Sequence, residues 1–273
     1  MSKSRPRRGY ADGPFGQVHF QDTGGDGPPL ILCHQAPLTS RQYDTVYPVF
    51  AKAGVRAIGI DTPGFGMSDP TDFVPTVEDY AKVVPAVMDH LGIAQADLLG
   101  HHTGALIVTE ASLQFPDRVR NLIMAGPVPL TDEERAAFMN DIVEKVEKKF
   151  VHKKDGTHLS ELYANRIKWL PDGFDTAMVT RYVVEQLQGF APFWYGHHAA
   201  FLYDHNAAIP KVTHRTLILT NTDDIIFPQA QQTKEMRPDF EMTVLENGAI
   251  DPTDLIPEAW VNAVVTFLKG ESP

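Results

Sequence analysis

The chain runs to 273 residues, 43% of them hydrophobic, enough to bury a substantial core as one α/β domain with an insertion or as two smaller domains. A formal charge of −11 argues against nucleic acid or an anionic membrane as partner, and the single cysteine, Cys33, excludes an internal disulfide and fits a reducing compartment. The basic start "MSKSRPRRGY" leads into no apolar stretch, so no signal peptide is expected, and no apolar run approaches the roughly eighteen residues that span a bilayer. A soluble, cytoplasmic protein is the expectation.

In chain order, "GQVHFQD" (16–22) alternates with period two and predicts an early antiparallel strand. "PLILCH" (29–34), "VRAIGID" (55–61), "ADLLGH" (96–101) and "VRNLIMAG" (119–126) are near-continuous apolar runs, as suits strands buried on both faces of a mostly parallel sheet. "RTLILTNTD" (215–223) and "EMTVLEN" (241–247) extend the series. Helical patterns lie near 39–53, 76–92, 103–115, 228–237 and 256–268. This order predicts right-handed crossovers and an α/β architecture with a mostly parallel, doubly wound sheet.

The alternation breaks between 127 and 209. "PLTDEERAAFMNDIVEKVEKKF" opens with a capping box, Thr131 with Glu134, and two further amphipathic helices follow in "LSELYANRIKWL" and "FDTAMVTRYVVEQLQGF". The charge run "EKVEKKFVHKK" reads as the solvated face of the first of these helices. The expected organisation is a core of residues 1–126 and 210–273 with a helical cap at 127–209.

In open α/β sheets, functional groups gather at the carboxyl ends of the strands. There stand "LCHQAPLTSRQY", "IDTPGFGMSDP", "LLGHHTGALI", "TNTDDIIFP" and "ENGAIDPTDLIPEAW". The third has the shape of a nucleophile elbow: Gly100-His101-His102-Thr103-Gly104, with a glycine two residues either side of a central residue between strand and helix. The central residue, usually serine, is His102.

Taken together, the chain resembles an α/β-hydrolase-fold protein with a helical cap, over residues 9–270. "DTPGFGMSDP" is similar to the family's D-x-P-G-x-G-x-S segment, and "CHQAP" (33–37) to its H-G-x-P oxyanion loop. Asp224, four residues before Pro228, matches the family's catalytic acid, and "IPEAWVNAVVTFL" resembles its closing helix. The departures are informative. His102 replaces the nucleophile, Ile250 stands where the resemblance places the catalytic histidine, and Gln35 replaces the oxyanion-loop glycine. An ordinary serine mechanism, a hydroxyl activated by histidine, cannot run from these positions.

From the elbow an imidazole reaches several ångströms further than a hydroxyl. One ring nitrogen of His102 is expected to meet Asp224 while the other faces the pocket, giving a His–Asp dyad that keeps the base and discards the nucleophile. The resemblance implies that the backbone N–H groups of Ala36 and Thr103 bind a developing oxyanion. Such a site suits proton removal next to a carbonyl, in lyase, decarboxylase or isomerase chemistry. It equally suits water activation against an ester, lactone or C–C bond.

For His34 and His101 packing and hydrogen bonding beside the oxyanion loop are expected, and Asp251 reads either as a second pocket carboxylate or as a turn before Pro252. Neighbouring histidines at 101–102 and 197–198 point apart on a regular element, and no Cys or H-x-x-x-H spacing supports zinc, so neither metal nor cofactor is expected. "GFAPFWYGHHAAFLY" (189–203) is either cap core or an aromatic roof over an apolar pocket. Candidate substrate-binding residues are Gln35, Phe193, Trp194, His198 and Ile250. The expected activity is non-covalent base catalysis on a small, largely apolar carbonyl compound. The alternative is a catalytically inactive small-ligand binding or sensor protein on the same fold. Substrate identity and oligomeric state stay open.

Overall fold

A computed structural model describes residues 5–270, so residues 1–4 of the basic start "MSKSRPRRGY" lie outside the described residues. Eight strands form one sheet: β1 (Arg7–Gly13), β2 (Gly16–Asp22), β3 (Pro29–Cys33), β4 (Arg56–Ile60), β5 (Ala96–His101), β6 (Val119–Ala125), β7 (Arg215–Asn221) and β8 (Glu241–Leu245). Their spatial order is β1-β2-β4-β3-β5-β6-β7-β8. β2 is antiparallel to β1 and β4, and every other pair is parallel.

The apolar runs are continuous because the two faces bury alternate residues. Leu30, Leu32, Leu99, Ile123, Leu217 and Leu219 pack on one side with Tyr43, Tyr47, Phe50 and Trp260. Ile31, Cys33, Leu98, Leu122, Met124 and Ile218 pack on the other with Val84, Val87, Leu106 and Ile107. Each buried Leu or Ile contributes roughly 1.5–3 kcal/mol. The first layer belongs to α1 (Tyr47–Lys52) and the closing helix, the second to α2 (Val77–Ala81), α3 (Val83–His90) and α4 (Thr103–Gln114).

Two local expectations are corrected, and one strand is added to those expected. The added strand is β1: its residues are mostly exposed, and its Gly9 lies so close to the Phe20 ring that a Cβ would stand 2.5 Å from Cζ. The pattern at 76–92 is two helices, because Pro85 has no N–H for the Ala81 carbonyl and its ring crowds that carbonyl. The first insertion helix ends early as α5 (Asp132–Phe138), continues as a π-helical turn over Met139–Glu144 that buries Val143, and finishes in a 3-10 turn at Glu147–Lys149. The expected capping box is present, with Thr131 accepting from the Glu134 N–H and Glu134 from the Thr131 N–H.

Between β6 and β7 the described residues form no strand. After α5 come α6 (Thr157–Arg166), α7 (Thr176–Gln188), α8 (Trp194–Leu202) and α9 (His205–Ala208). β7 leads to α10 (Phe227–Met236), and β8 to α11 (Pro252–Leu255) and α12 (Pro257–Lys269), which Gly270 ends at φ 72°. No helix is long and apolar enough to cross a membrane among the described residues.

Candidate active site

β5 runs into α4 through a turn in which His102 is left-handed, at φ 49° and ψ −111°, a strained conformation for a residue with a side chain. The turn closes only because its flanks are glycines. A Cβ on Gly100 would stand 1.9 Å from the Gly104 carbonyl oxygen, and one on Gly104 would stand 2.0 Å from that of Cys33. The His102 N–H donates to the Ala125 carbonyl at 2.8 Å, fixing the elbow to β6.

The His102 ring reaches the loop after β7, where its Nε2 lies 3.0 Å from Oδ2 of Asp224. The other carboxylate oxygen accepts the Ile226 N–H at 3.1 Å, so Asp224 is oriented by its own loop and is nearly buried. Gly126 underlies the ring, with room for no side chain: its Cβ would be 2.5 Å from Cδ2 of His102. An ionised Asp224 only accepts, so the neutral imidazole carries its proton on Nε2 and leaves a lone pair on Nδ1. Nδ1 makes no hydrogen bond among the described residues, and the side chain is 14% exposed.

Thr103 is the first residue of α4, so its N–H has no intrahelical acceptor. The Ala36 N–H likewise donates to nothing among the described residues. Gly104 packs on the backbone of Cys33 and His34, which brings the two segments together. His34 is structural here: its Nε2 accepts the Thr62 N–H at 3.1 Å, and its Nδ1 lies 3.0 Å from the Gln35 carbonyl oxygen. Below this loop, Asp61 accepts the Ser40 N–H at 2.7 Å and the Met67 N–H at 3.0 Å, and its Oδ2 lies 2.8 Å from His19 Nδ1. Burial pushes the Asp61 carboxyl up, but His19 and these donors outweigh it and hold it below the ordinary carboxylate range.

Gln35 does not present its amide N–H groups to a pocket. It is buried, and its Nε2 donates to the Ile250 carbonyl at 3.3 Å and to Asp251 Oδ1 at 3.1 Å. Asp251 also pairs with Arg166 of α6, whose guanidinium lies 4.5 Å from the Tyr182 ring centre. Asp251 is thus neither a bare pocket carboxylate nor a simple turn former. Burial raises its carboxyl, and Arg166 opposes that rise. Nearby, Arg181 and Tyr182 of α7 hold Asp254, while Glu185 accepts from the N–H and hydroxyl of Thr39 and pairs with Arg181 at 3.1 Å. Burial pushes Glu185 up to about 7. Sequence reading missed this polar seam because its partners lie on amphipathic helices far away in the chain.

α8 lies on the segment that carries Ala36 through Gly196, where a Cβ would be 2.5 Å from that of Ala36 and 3.0 Å from Phe65 Cζ. At 100° per residue, Trp194 and His198 fall on the opposite face. Their rings meet edge-on at 5.3 Å between centres, with the Lys148 ammonium 4.6 Å from the Trp194 ring. Both therefore face away from the contact between Gly196 and Ala36. Phe193 is on the inner side, buried edge-on against Phe150. Ile250 is buried beside a loop in which Asn247, Gly248 and Ala249 all have positive φ. A small cavity of about 10 Å³ lies behind the dyad, lined by His101, Gly126, Thr220, Asn221 and Asp224 among others, and by none of the five candidate substrate-binding residues.

The expectation that His101 and His102 point apart is also corrected. It holds for a regular strand, but the left-handed elbow folds the two rings to 4.3 Å between centres. His101, His102 and Asp224 then offer one ligand atom each within 4.8 Å of one another. The hydrogen bonding opposes a metal there. The Gln35 N–H donates to Gln42 Oε1 at 2.9 Å, which orients that amide, so Gln42 Nε2 donates to His101 Nδ1 at 2.7 Å. His101 consequently carries its proton on Nε2 and has no free lone pair for an ion. Burial, then the charges of His102 and Arg166, drive its pKa well below the ordinary imidazole range, so it is neutral.

The model of the alpha/beta hydrolase fold family matches residues 28–249. The chain belongs to this family. A 2-hydroxy-6-oxononadienedioate/2-hydroxy-6-oxononatrienedioate hydrolase of Paraburkholderia phymatum is 34% identical to this alpha/beta hydrolase fold chain over 114 residues, 40% of each chain. Haloalkane dehalogenase 2 of Mycobacterium tuberculosis is 32% identical over 118 residues, 43% of this chain and 41% of that protein. The matched segment thus spans about two fifths of these curated relatives. Among solved structures, a bromoperoxidase from Bacillus anthracis superposes with a TM-score of 0.79 at 18% identity, over 96% of this chain and all of the other, a likeness of fold.

Proposed function

We propose that the chain is an α/β-hydrolase-fold enzyme acting on a small, largely apolar carbonyl compound with His102 as a non-covalent general base. The observation that carries this reading is the 3.0 Å contact between His102 Nε2 and Asp224 Oδ2 at a strained elbow. Asp224 holds the tautomer and stabilises the imidazolium, so Nδ1 is the atom that takes the proton. In the serine template the histidine turns Nδ1 to its acid and Nε2 to the nucleophile. Here the two nitrogens exchange roles, since the ring hangs from the elbow itself.

A carbonyl oxygen accepts from the N–H groups of Ala36 and Thr103, and negative charge developing on it strengthens both bonds. Nδ1 then removes either a proton next to that carbonyl or one from a water attacking it. The helices of 127–209 act as a cap, with Gly196 seating α8 directly on Ala36. The curated relatives are hydrolases and dehalogenases, which supports hydrolysis as the first chemistry to assay.

The test is a panel of esters, lactones and β-diketones, assayed with and without prior treatment by a fluorophosphonate. Turnover that survives the treatment and is lost in His102→Ala supports the reading. Stoichiometric labelling of a serine with loss of turnover overturns it, and saturable binding of the panel without turnover favours a ligand-binding protein.

A further inference from the structure

His101 stands next to the dyad, and one of its ring nitrogens has no assigned duty. Its Nδ1 accepts from Gln42, an amide whose orientation the Gln35 N–H dictates. The proton is therefore on Nε2, and this fully enclosed N–H has no hydrogen-bond partner among the described residues. Leaving such a donor unpaired carries the full cost of stripping it of water. The same small cavity that His101 lines is also lined by Asp224 and by Thr220, whose hydroxyl oxygen is likewise enclosed and unpartnered. At about 10 Å³ the space takes one water, and a buried water typically makes about three hydrogen bonds.

We propose that this cavity binds one water that accepts from His101 Nε2–H and donates to the Asp224 carboxylate and the Thr220 hydroxyl, making His101 a positioning residue for the acid of the dyad. The inference rests on the dyad reading and deepens it. Each Asp224 oxygen has lone pairs to spare beyond the Ile226 N–H and His102, so the water displaces neither. A continuous chain results, from the Gln35 N–H through Gln42, His101 and the water to Asp224 and His102. Gln35 adjoins Ala36, so one hydrogen-bonded path ties the oxyanion segment to the carboxylate that orients the base.

The test uses the purified full chain and nitrogen-15 NMR of its histidines, with readouts that need no turnover. His101 is expected as the Nε2–H tautomer, with cross-relaxation from that proton to a long-lived water. His101→Asn keeps an acceptor for Gln42 but places no donor in the cavity. It is expected to lose the water signal and to speed solvent exchange of the His102 Nε2–H several-fold. His101→Gln, whose amide reaches the position of Nε2, restores both. A proton on His101 Nδ1, or unchanged His102 exchange in His101→Asn, overturns the proposal. So does stoichiometric binding of Zn²⁺ alone that shifts both rings. A protein without activity on any carbonyl compound would still give these signals, so failure of the proposed function and failure of the bridge are separable.

Discussion

Gly126 lies flat against the imidazole of His102: a Cβ at that position would stand 2.5 Å from Cδ2 and 3.0 Å from Nε2. The ring reaches Asp224 because residue 126 has no side chain. Gly126→Ala is expected to swing the ring off the carboxylate and, at φ 67°, to cost about 1 kcal/mol of backbone strain besides. Misplacing a catalytic group by about 1 Å can cost on the order of 100-fold in rate. Steady-state kinetics should therefore show a large fall in kcat, while far-ultraviolet circular dichroism stays native.

Arg166 and Asp251 form a buried pair in which the carboxylate is wholly enclosed. Removing the cation alone leaves an uncompensated buried charge, which typically costs 3–5 kcal/mol. Arg166→Met is expected to be destabilised by about that amount in urea titration. The double variant Arg166→Met/Asp251→Asn should recover most of the loss.

Glu185, with its carboxyl pushed up to about 7 by burial, gives the fold a defined pH dependence. Because this value lies above the ordinary one, the native state binds the proton more tightly than the unfolded chain. The stabilisation is complete below about pH 4.5 and is lost as pH rises through about 7. Glu185→Gln should flatten that part of the stability curve, so the variant gains on the wild type by about 1–3 kcal/mol between acidic and mildly alkaline buffer. Thermal or urea unfolding over that range checks it.

Trp194 and His198 share the outer face of α8, so Trp194→Ala should leave KM unchanged and lower the unfolding midpoint modestly, through lost contact with His198 and Lys148. A raised KM with unchanged stability would return Trp194 to the pocket.

Much of this molecule is legible in the sequence because its strands bury both faces. Leu30 to Cys33 and Leu217 to Leu219 leave no polar alternation to confuse them with another element. The elbow is legible for a similar reason, since Gly100 and Gly104 are demanded by backbone contact at 2.0 Å or less. β1 is not, because an edge strand such as Arg7–Gly13 has little need of apolar residues. The facing of α8 depends on Gly196 meeting Ala36, a contact across 160 residues that periodicity does not encode. Asp251 finds Arg166 at a separation of 85 residues, and the duty of His101 depends on which way the Gln42 amide points.

The central claim is that His102 and Asp224 act as one base. The measurement that tests it most directly is kcat for the wild type, His102→Ala, Asp224→Ala and the double variant, on the carbonyl compound that the wild type turns over. Residues that act as a unit are strongly non-additive. The account predicts that each single variant loses activity and that the double variant is no slower than His102→Ala alone. A His102→Ala variant with full activity, or losses that simply multiply in the double variant, would contradict it.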